Sequence, residues 1–217
     1  MRGAIFDMDG LLIESEQLWQ RTWYELAAER GVTLGATFPQ EVIGTGGART
    51  REVIRRHYGV DDPEPIMRAC TERVHRMEEQ GVPLKPGVRT ILAGLRAEGY
   101  RIAVASSSPL DMIERCLRIN GVAEYFDVML SALSVAHGKP APDVFLTAAE
   151  RLDVKPEACW VSEDSLSGVE AGWRSGARTI MIPDIIQPDE RVKPMCWGIF
   201  RDLGVAWNEI AGSYTEA

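Results

Sequence analysis

Short, predominantly apolar runs that alternate with helical periodicity constrain this chain more than any other feature. Ala4–Phe6, Arg101–Ala105, Phe126–Leu130, Cys159–Val161 and Thr179–Ile182 read as strands. Around them lie the amphipathic patterns of Val88–Glu98, Leu110–Asn120, Asp143–Leu152 and Leu166–Ser175, with apolar positions spaced as on one helix face. Strands this short and this apolar are buried on both faces. Joined through helices, they give a parallel sheet covered on both sides, an α/β Rossmann-like core.

One stretch breaks the alternation. From about Glu16 to Gln80 only helical patterns occur: Glu16–Arg30, Arg49–Tyr58 and Glu64–Gln80, closed by Gly31, Gly59 and Gly81. The expected organisation is therefore a core of residues 1–14 and 82–217, with an all-helical domain of residues 15–81 inserted after the first strand. Open parallel sheets bind ligands outside the carboxyl ends of their strands. The insertion is thus expected to serve as a cap, hinged near Glu14–Ser15 and Gly81–Pro86. The segment Asp189–Ala217 is expected to add one more strand and a closing helix.

Composition removes some classes of function. Arg and Lys number 24 against 32 Asp and Glu, a net charge of −8. An acidic surface repels nucleic acid and anionic membranes, so neither is expected as a partner. No apolar run is long enough to cross a bilayer. Cys70, Cys116, Cys159 and Cys196 are scattered without metal-ligand spacing, which suits small buried hydrophobes in a reducing cytoplasm. Met1 to Phe6 run directly into Asp7, so no signal peptide is expected.

The residues suited to chemistry cluster at strand ends. Asp7-Met8-Asp9-Gly10 follows the first strand, and Glu163-Asp164 follows Trp160-Val161. Carboxylates crowded at adjacent strand ends repel one another unless a cation lies between them, and an all-oxygen set suits Mg²⁺. Asp164 or Ser165 can also cap the following helix, a role compatible with metal binding. Ser106-Ser107-Ser108 precedes a helix start, where a serine can serve as an ordinary N-cap or the hydroxyls and free backbone N–H groups can hold an anion. Lys139, in Gly138-Lys139-Pro140-Ala141-Pro142, would be a surface lysine in most proteins, but a phosphate site would need a cation like it. His57, His75 and His137 show no partner and read as surface or helix residues.

Taken together, Ile5-Phe6-Asp7-Met8-Asp9-Gly10-Leu11-Leu12, Ser106, Lys139-Pro140-x-Pro142 and Glu163-Asp164-Ser165 with Gly168 and Ala171 resemble the motifs of the haloacid dehalogenase superfamily. The helical insertion resembles the cap of the subfamily that holds β-phosphoglucomutase and sugar-phosphate phosphatases. The resemblance implies that Asp7 is a nucleophile that becomes an aspartyl-phosphate, and that Asp9 is the general acid and base. It implies Mg²⁺ at Asp7, the Asp9 carbonyl, Glu163 and Asp164, with Ser106, the Ser107 backbone N–H and Lys139 on the phosphoryl oxygens. Asp9 separates the chain from the dehalogenases, which lack an aspartate there. Glu14 departs from the usual aspartate, at a hinge-side position.

Substrate and reaction are carried by fewer residues. Mutases of the subfamily hold a histidine in the first cap helix where this chain has Trp19, and an aromatic there resembles the hexose-phosphate phosphatases. Trp19 and Trp23 either line the substrate side of the cap or pack within it. Arg49 and Arg51, after Gly44-Thr45-Gly46-Gly47, are candidates for a distal phosphate. The expectation is a monomeric phosphatase of a small phosphorylated metabolite, ahead of a β-phosphoglucomutase-type mutase. A protein that kept the fold and lost the chemistry ranks last, because each catalytic position holds its working residue.

Overall fold

The computed structural model describes residues 1–42 and 47–212. The chain divides into two compact units, Met1–Ile13 with Pro83–Ala217, and Glu14–Val82. In the first unit the elements are β1 (Gly3–Phe6), α5 (Val88–Ala97), β2 (Arg101–Ser106), α6 (Leu110–Ile119), β3 (Val128–Ser131), α7 (Asp143–Arg151), β4 (Cys159–Glu163), α8 (Leu166–Arg174), β5 (Arg178–Met181), β6 (Gly198–Ile199) and α9 (Leu203–Gly212). The second unit holds α1 (Ser15–Glu29), α2 (Phe38–Val42), α3 (Gly47–Tyr58) and α4 (Glu64–Glu78).

The sheet runs β3-β2-β1-β4-β5-β6 with every neighbouring pair parallel. β1 is central: Ile5 lies opposite Ala103 on one side and Val161 on the other. Strand order reverses at β1, the switch point where doubly wound sheets open a binding crevice. Alternation sends Ile5, Ala103, Ala105 and Val161 to one face, where Val144, Phe145 and Ala148 of α7 and Ala171 of α8 complete the core. α5 packs on β2, and α9 packs on α5. That last contact is intimate, because a Cβ on Gly94 of α5 would overlap the Trp207 ring of α9.

The expected strand at Phe126 begins two residues later. Ala123–Tyr125 form a 3₁₀ turn that holds Phe126 outside the ladder, and the Asp127 carboxylate accepts the Ile102 N–H at 2.8 Å. The C-terminal segment supplies β6 at the sheet edge and then α9. Among the described residues no helix is long and apolar enough to cross a membrane. Cys70, Cys116 and Cys159 are buried, and all four cysteines are free thiols.

The helical unit has its own core of Trp23, Leu26, Phe38, Ile54, Tyr58, Ile66, Cys70 and Val74. Trp23 meets Phe38 and Tyr58 edge-on at 6.3 and 6.4 Å, and the Tyr58 hydroxyl donates to the Trp23 carbonyl at 2.6 Å. Arg73 of α4 grips Glu29 of α1 through two hydrogen bonds of 2.8 and 3.1 Å. α2 was not legible as a helix. It is a single short turn beginning Phe38-Pro39, below the length at which periodicity registers. Gly44, Thr45 and Gly46, ahead of Arg49, lie outside the described residues.

Candidate active site

The three central strands end in the residues that carry charge. Asp7 immediately follows β1, Ser106 closes β2 and Glu163 closes β4. The Asp7 N–H continues the ladder by donating to the Ser162 carbonyl at 3.0 Å, which fixes the nucleophile candidate to the sheet. Asp7 is 6% exposed, while Ser106 and Glu163 are fully buried. Lys139 arrives from the loop before α7. Its ammonium pairs with Asp7 Oδ1, donates to Glu163 Oε1 at 2.6 Å and to the Ala105 carbonyl at 3.3 Å, and lies 5.1 Å above the Phe145 ring.

Glu163 organises the opposite wall. Its Oε2 accepts the Ser165 hydroxyl at 3.0 Å and the backbone N–H groups of Asp164 and Ser165 at 3.1 and 3.2 Å. Ser165 in turn caps α8, its Oγ accepting the Gly168 N–H at 3.1 Å. Gly168 is obligatory here, since a Cβ on it would overlap the Glu163 carboxyl carbon and both oxygens. No side chain caps α6, whose N-cap is Pro109. The serine triplet is therefore free of the capping role that its position suggested. Ser106 and Ser108 instead donate to Asp9 Oδ2, at 3.0 and 2.8 Å.

The electrostatics call for a cation. Carboxylate oxygens of Asp7, Glu163 and Asp164 lie within 4.8 Å of one another. Burial pushes the Asp7 carboxyl upward; Lys139 opposes this, and Glu163 and Asp9 add to it. Burial acts to lower Lys139, yet Asp7 and Glu163 outweigh it and hold the ammonium more firmly protonated than an ordinary lysine. One ammonium against this many acidic groups leaves room for a further cation in this partly buried cluster. The donor set, all oxygen, fits a hard divalent cation.

The structure thus brings Asp7, Asp9, Ser106, Lys139, Glu163 and Asp164 together through these contacts. Ser107 is exposed beside them. Trp19 and Arg49 belong to the helical unit. Trp19 is partly buried against its core at 6.4 Å from Trp23, and Arg49 is exposed at the start of α3. For Trp23, 5% exposed, packing is the outcome. Arg51 pairs with Glu64. His137 sits on the surface against Asp143 at 3.0 Å, while His57 stacks edge-on to Phe38 at 5.2 Å. Sequence reasoning gave Ser108 no role apart from the serine triplet as a whole, although alternation past β2 places it on the side of Ser106. It did not single out Ser131 at all.

A strand-end carboxylate, a lysine bridging two carboxylates and a serine-capped helix start thus meet at the carboxyl ends of a doubly wound sheet. The sequence profile described as "Haloacid dehalogenase-like hydrolase" matches residues 4–182. The chain belongs to this family, and the phosphatases among its relatives make it a phosphoric monoester hydrolase. It is 36% identical over 186 residues to hexitol phosphatase B of Escherichia coli (strain K12), covering 83% of this chain and 82% of that protein. It is 31% identical to a phosphorylated carbohydrates phosphatase of Thermotoga maritima, covering 83% of this chain and 84% of the other. In structure it resembles a putative beta-phosphoglucomutase from Thermotoga maritima, with a TM-score of 0.80, 26% identity, and coverage of 98% and 99% of the two chains.

Proposed function

We propose that this chain is a Mg²⁺-dependent phosphatase of sugar or sugar-alcohol phosphates that works through an aspartyl-phosphate on Asp7. The observation that carries the reading is the placement of Asp7. It is buried at the end of the central strand, paired with Lys139 and clustered with Glu163 and Asp164. The sugar class is supported by the relatives that act on hexitol phosphates and phosphorylated carbohydrates.

In the first half-reaction an Asp7 oxygen attacks phosphorus as the bond to the sugar oxygen breaks, and Asp9 delivers a proton to the departing alkoxide. In the second, water attacks the phosphorus of the aspartyl-phosphate. Asp9 takes the water's proton, inorganic phosphate leaves and the Asp7 carboxylate is restored. Mg²⁺, held by Asp7, Asp164 and the Asp9 carbonyl, would neutralise charge between nucleophile and phosphate. Both Glu163 oxygens already accept hydrogen bonds, so its part is to hold Lys139 and the 164–165 turn. As Asp7 loses its charge to the acyl phosphate, the Lys139 ammonium becomes available to the new phosphoryl oxygens. Ser106 and the Ser107 N–H bind the remaining ones. Trp19 and Arg49 are the substrate-contact candidates of the helical unit.

A mutase reading rests on the likeness to the Thermotoga structure, and Trp19 stands against it. Phosphate release from hexitol and hexose phosphates, with Mg²⁺ and with EDTA, tests both readings alongside Asp7→Asn. Release that needs Mg²⁺ and disappears in Asp7→Asn is the expected result. Isomerisation of β-glucose 1-phosphate without release would establish the mutase, and activity persisting in Asp7→Asn would remove Asp7 as nucleophile.

A further inference from the structure

Asp9 is held by more than phosphate binding requires. Ser106 Oγ and Ser108 Oγ converge on the same oxygen, Asp9 Oδ2, at 3.0 and 2.8 Å, and Ser106 Oγ also accepts the Ser108 N–H at 3.0 Å. The Ser108 carbonyl accepts the hydroxyl of Ser131 at 2.6 Å. Ser131 is 5% exposed at the end of β3, and its Oγ accepts the Leu133 N–H at 3.2 Å. The result is a chain of contacts across the ends of three adjacent strands, from Ser131 through Ser108 to Asp9.

We propose that Ser108, braced by Ser131, is a positioning residue that aims the Asp9 carboxyl for proton transfer to the leaving oxygen. The inference rests on the reading of Asp9 as general acid. A short side chain on a loop has two free torsions, and proton transfer demands a donor within hydrogen-bond reach of its target. Two hydroxyls on Oδ2 leave Oδ1 as the oxygen to carry the transferred proton. Ser106 cannot keep this hold throughout, because binding the phosphoryl group draws its hydroxyl away from Asp9. Ser108 is tied through its carbonyl to Ser131, so it keeps Asp9 aimed while Ser106 turns to phosphate.

The test is a leaving-group series. Ring-substituted phenyl phosphates from phenyl to p-nitrophenyl have nearly one shape and differ in the basicity of the departing phenoxide. Only the basic ones need a proton from Asp9. Because kcat/KM reports steps up to release of the phenol, hydrolysis of the phosphoenzyme does not enter. In Ser108→Ala the p-nitrophenyl-to-phenyl ratio of kcat/KM is expected to rise roughly tenfold, the scale of one lost hydrogen bond to a charged group. Ser131→Ala should raise it less, and Ser108→Thr, which keeps the hydroxyl, should restore it. An unchanged ratio in a folded Ser108→Ala overturns the inference alone, as does a rise in KM shared by every member of the series. Failure of the native enzyme to release phosphate from these esters and from hexitol and hexose phosphates alike removes the phosphatase reading and this inference with it.

Discussion

Gly168→Ala places a methyl group where the Glu163 carboxyl now sits, since a Cβ there would overlap Cδ and both oxygens. Glu163 is fully buried and accepts four hydrogen bonds, from Lys139 Nζ, Ser165 Oγ and two backbone N–H groups, at 2.6 to 3.2 Å. The carboxylate must leave that place. Hydrogen bonds to a charged group contribute about 1.5–3 kcal/mol each, so losing two costs about 3–6 kcal/mol. Alanine gains about 1 kcal/mol over glycine as a helix former. The net destabilisation is then about 2–5 kcal/mol, a fall of roughly 1–2 M in the urea midpoint of the α/β unit at a typical slope. Urea titration followed by circular dichroism reads this directly. The control is Glu163→Asp, which shortens the side chain by one methylene and makes room. Combined with Gly168→Ala it should cost about 1–2 kcal/mol less than the two single changes added together. A midpoint that stays put or rises in Gly168→Ala, or strict additivity in the double variant, would refute the steric argument.

Two further changes probe the core away from the chemistry. Gly94→Ala forces a methyl against the Trp207 ring; overpacking of this kind costs about 1–3 kcal/mol and outweighs the helix gain, so the melting temperature should fall, and a rise would mean that the ring slides aside freely. Asp127 accepts Ile102 N–H at 2.8 Å and Arg96 at 2.9 Å; burial would raise its pKa, but these contacts and Arg101 outweigh it and hold the carboxyl below its ordinary value. A depressed folded-state pKa gives stability that is present above the unfolded value of about 4 and is lost as pH falls through the lower folded one. Asp127→Asn should therefore cost about 1 kcal/mol near neutral pH, a gap that closes toward pH 2–3; urea titrations showing an equal gap at both pH values would contradict this.

The parts of the fold that could be read from sequence are those with one dominant physical cause. β1, β2, β4 and β5 were visible because a strand buried on both faces has to be apolar along its length. Asp7, Ser106 and Glu163 were legible as candidates because they stand where such runs stop. What stayed hidden depends on pairings across the sheet. Nothing local tells that Lys139 reaches both Asp7 and Glu163, or that Ser131 braces a residue on the neighbouring strand. Phe126 looked like a strand residue because it is aromatic and followed by apolar positions; only the Asp127–Ile102 contact shows where the ladder begins. Trp23 and Trp19 share a helix face, and their separate environments depend on Phe38 and Tyr58, both distant in sequence.

The strand order also sets a timetable for folding. β1 occupies the middle of the sheet, yet Gly3 finds its two neighbours at Arg101 and Cys159. During synthesis the earliest strand therefore keeps both edges unpaired until β2 has emerged, and one of them until β4 has emerged. The helical unit, whose contacts are local in sequence, can close well before that. Asp7 is among the first residues made and among the last to reach its working environment, because the charges that surround it are supplied by the far half of the chain.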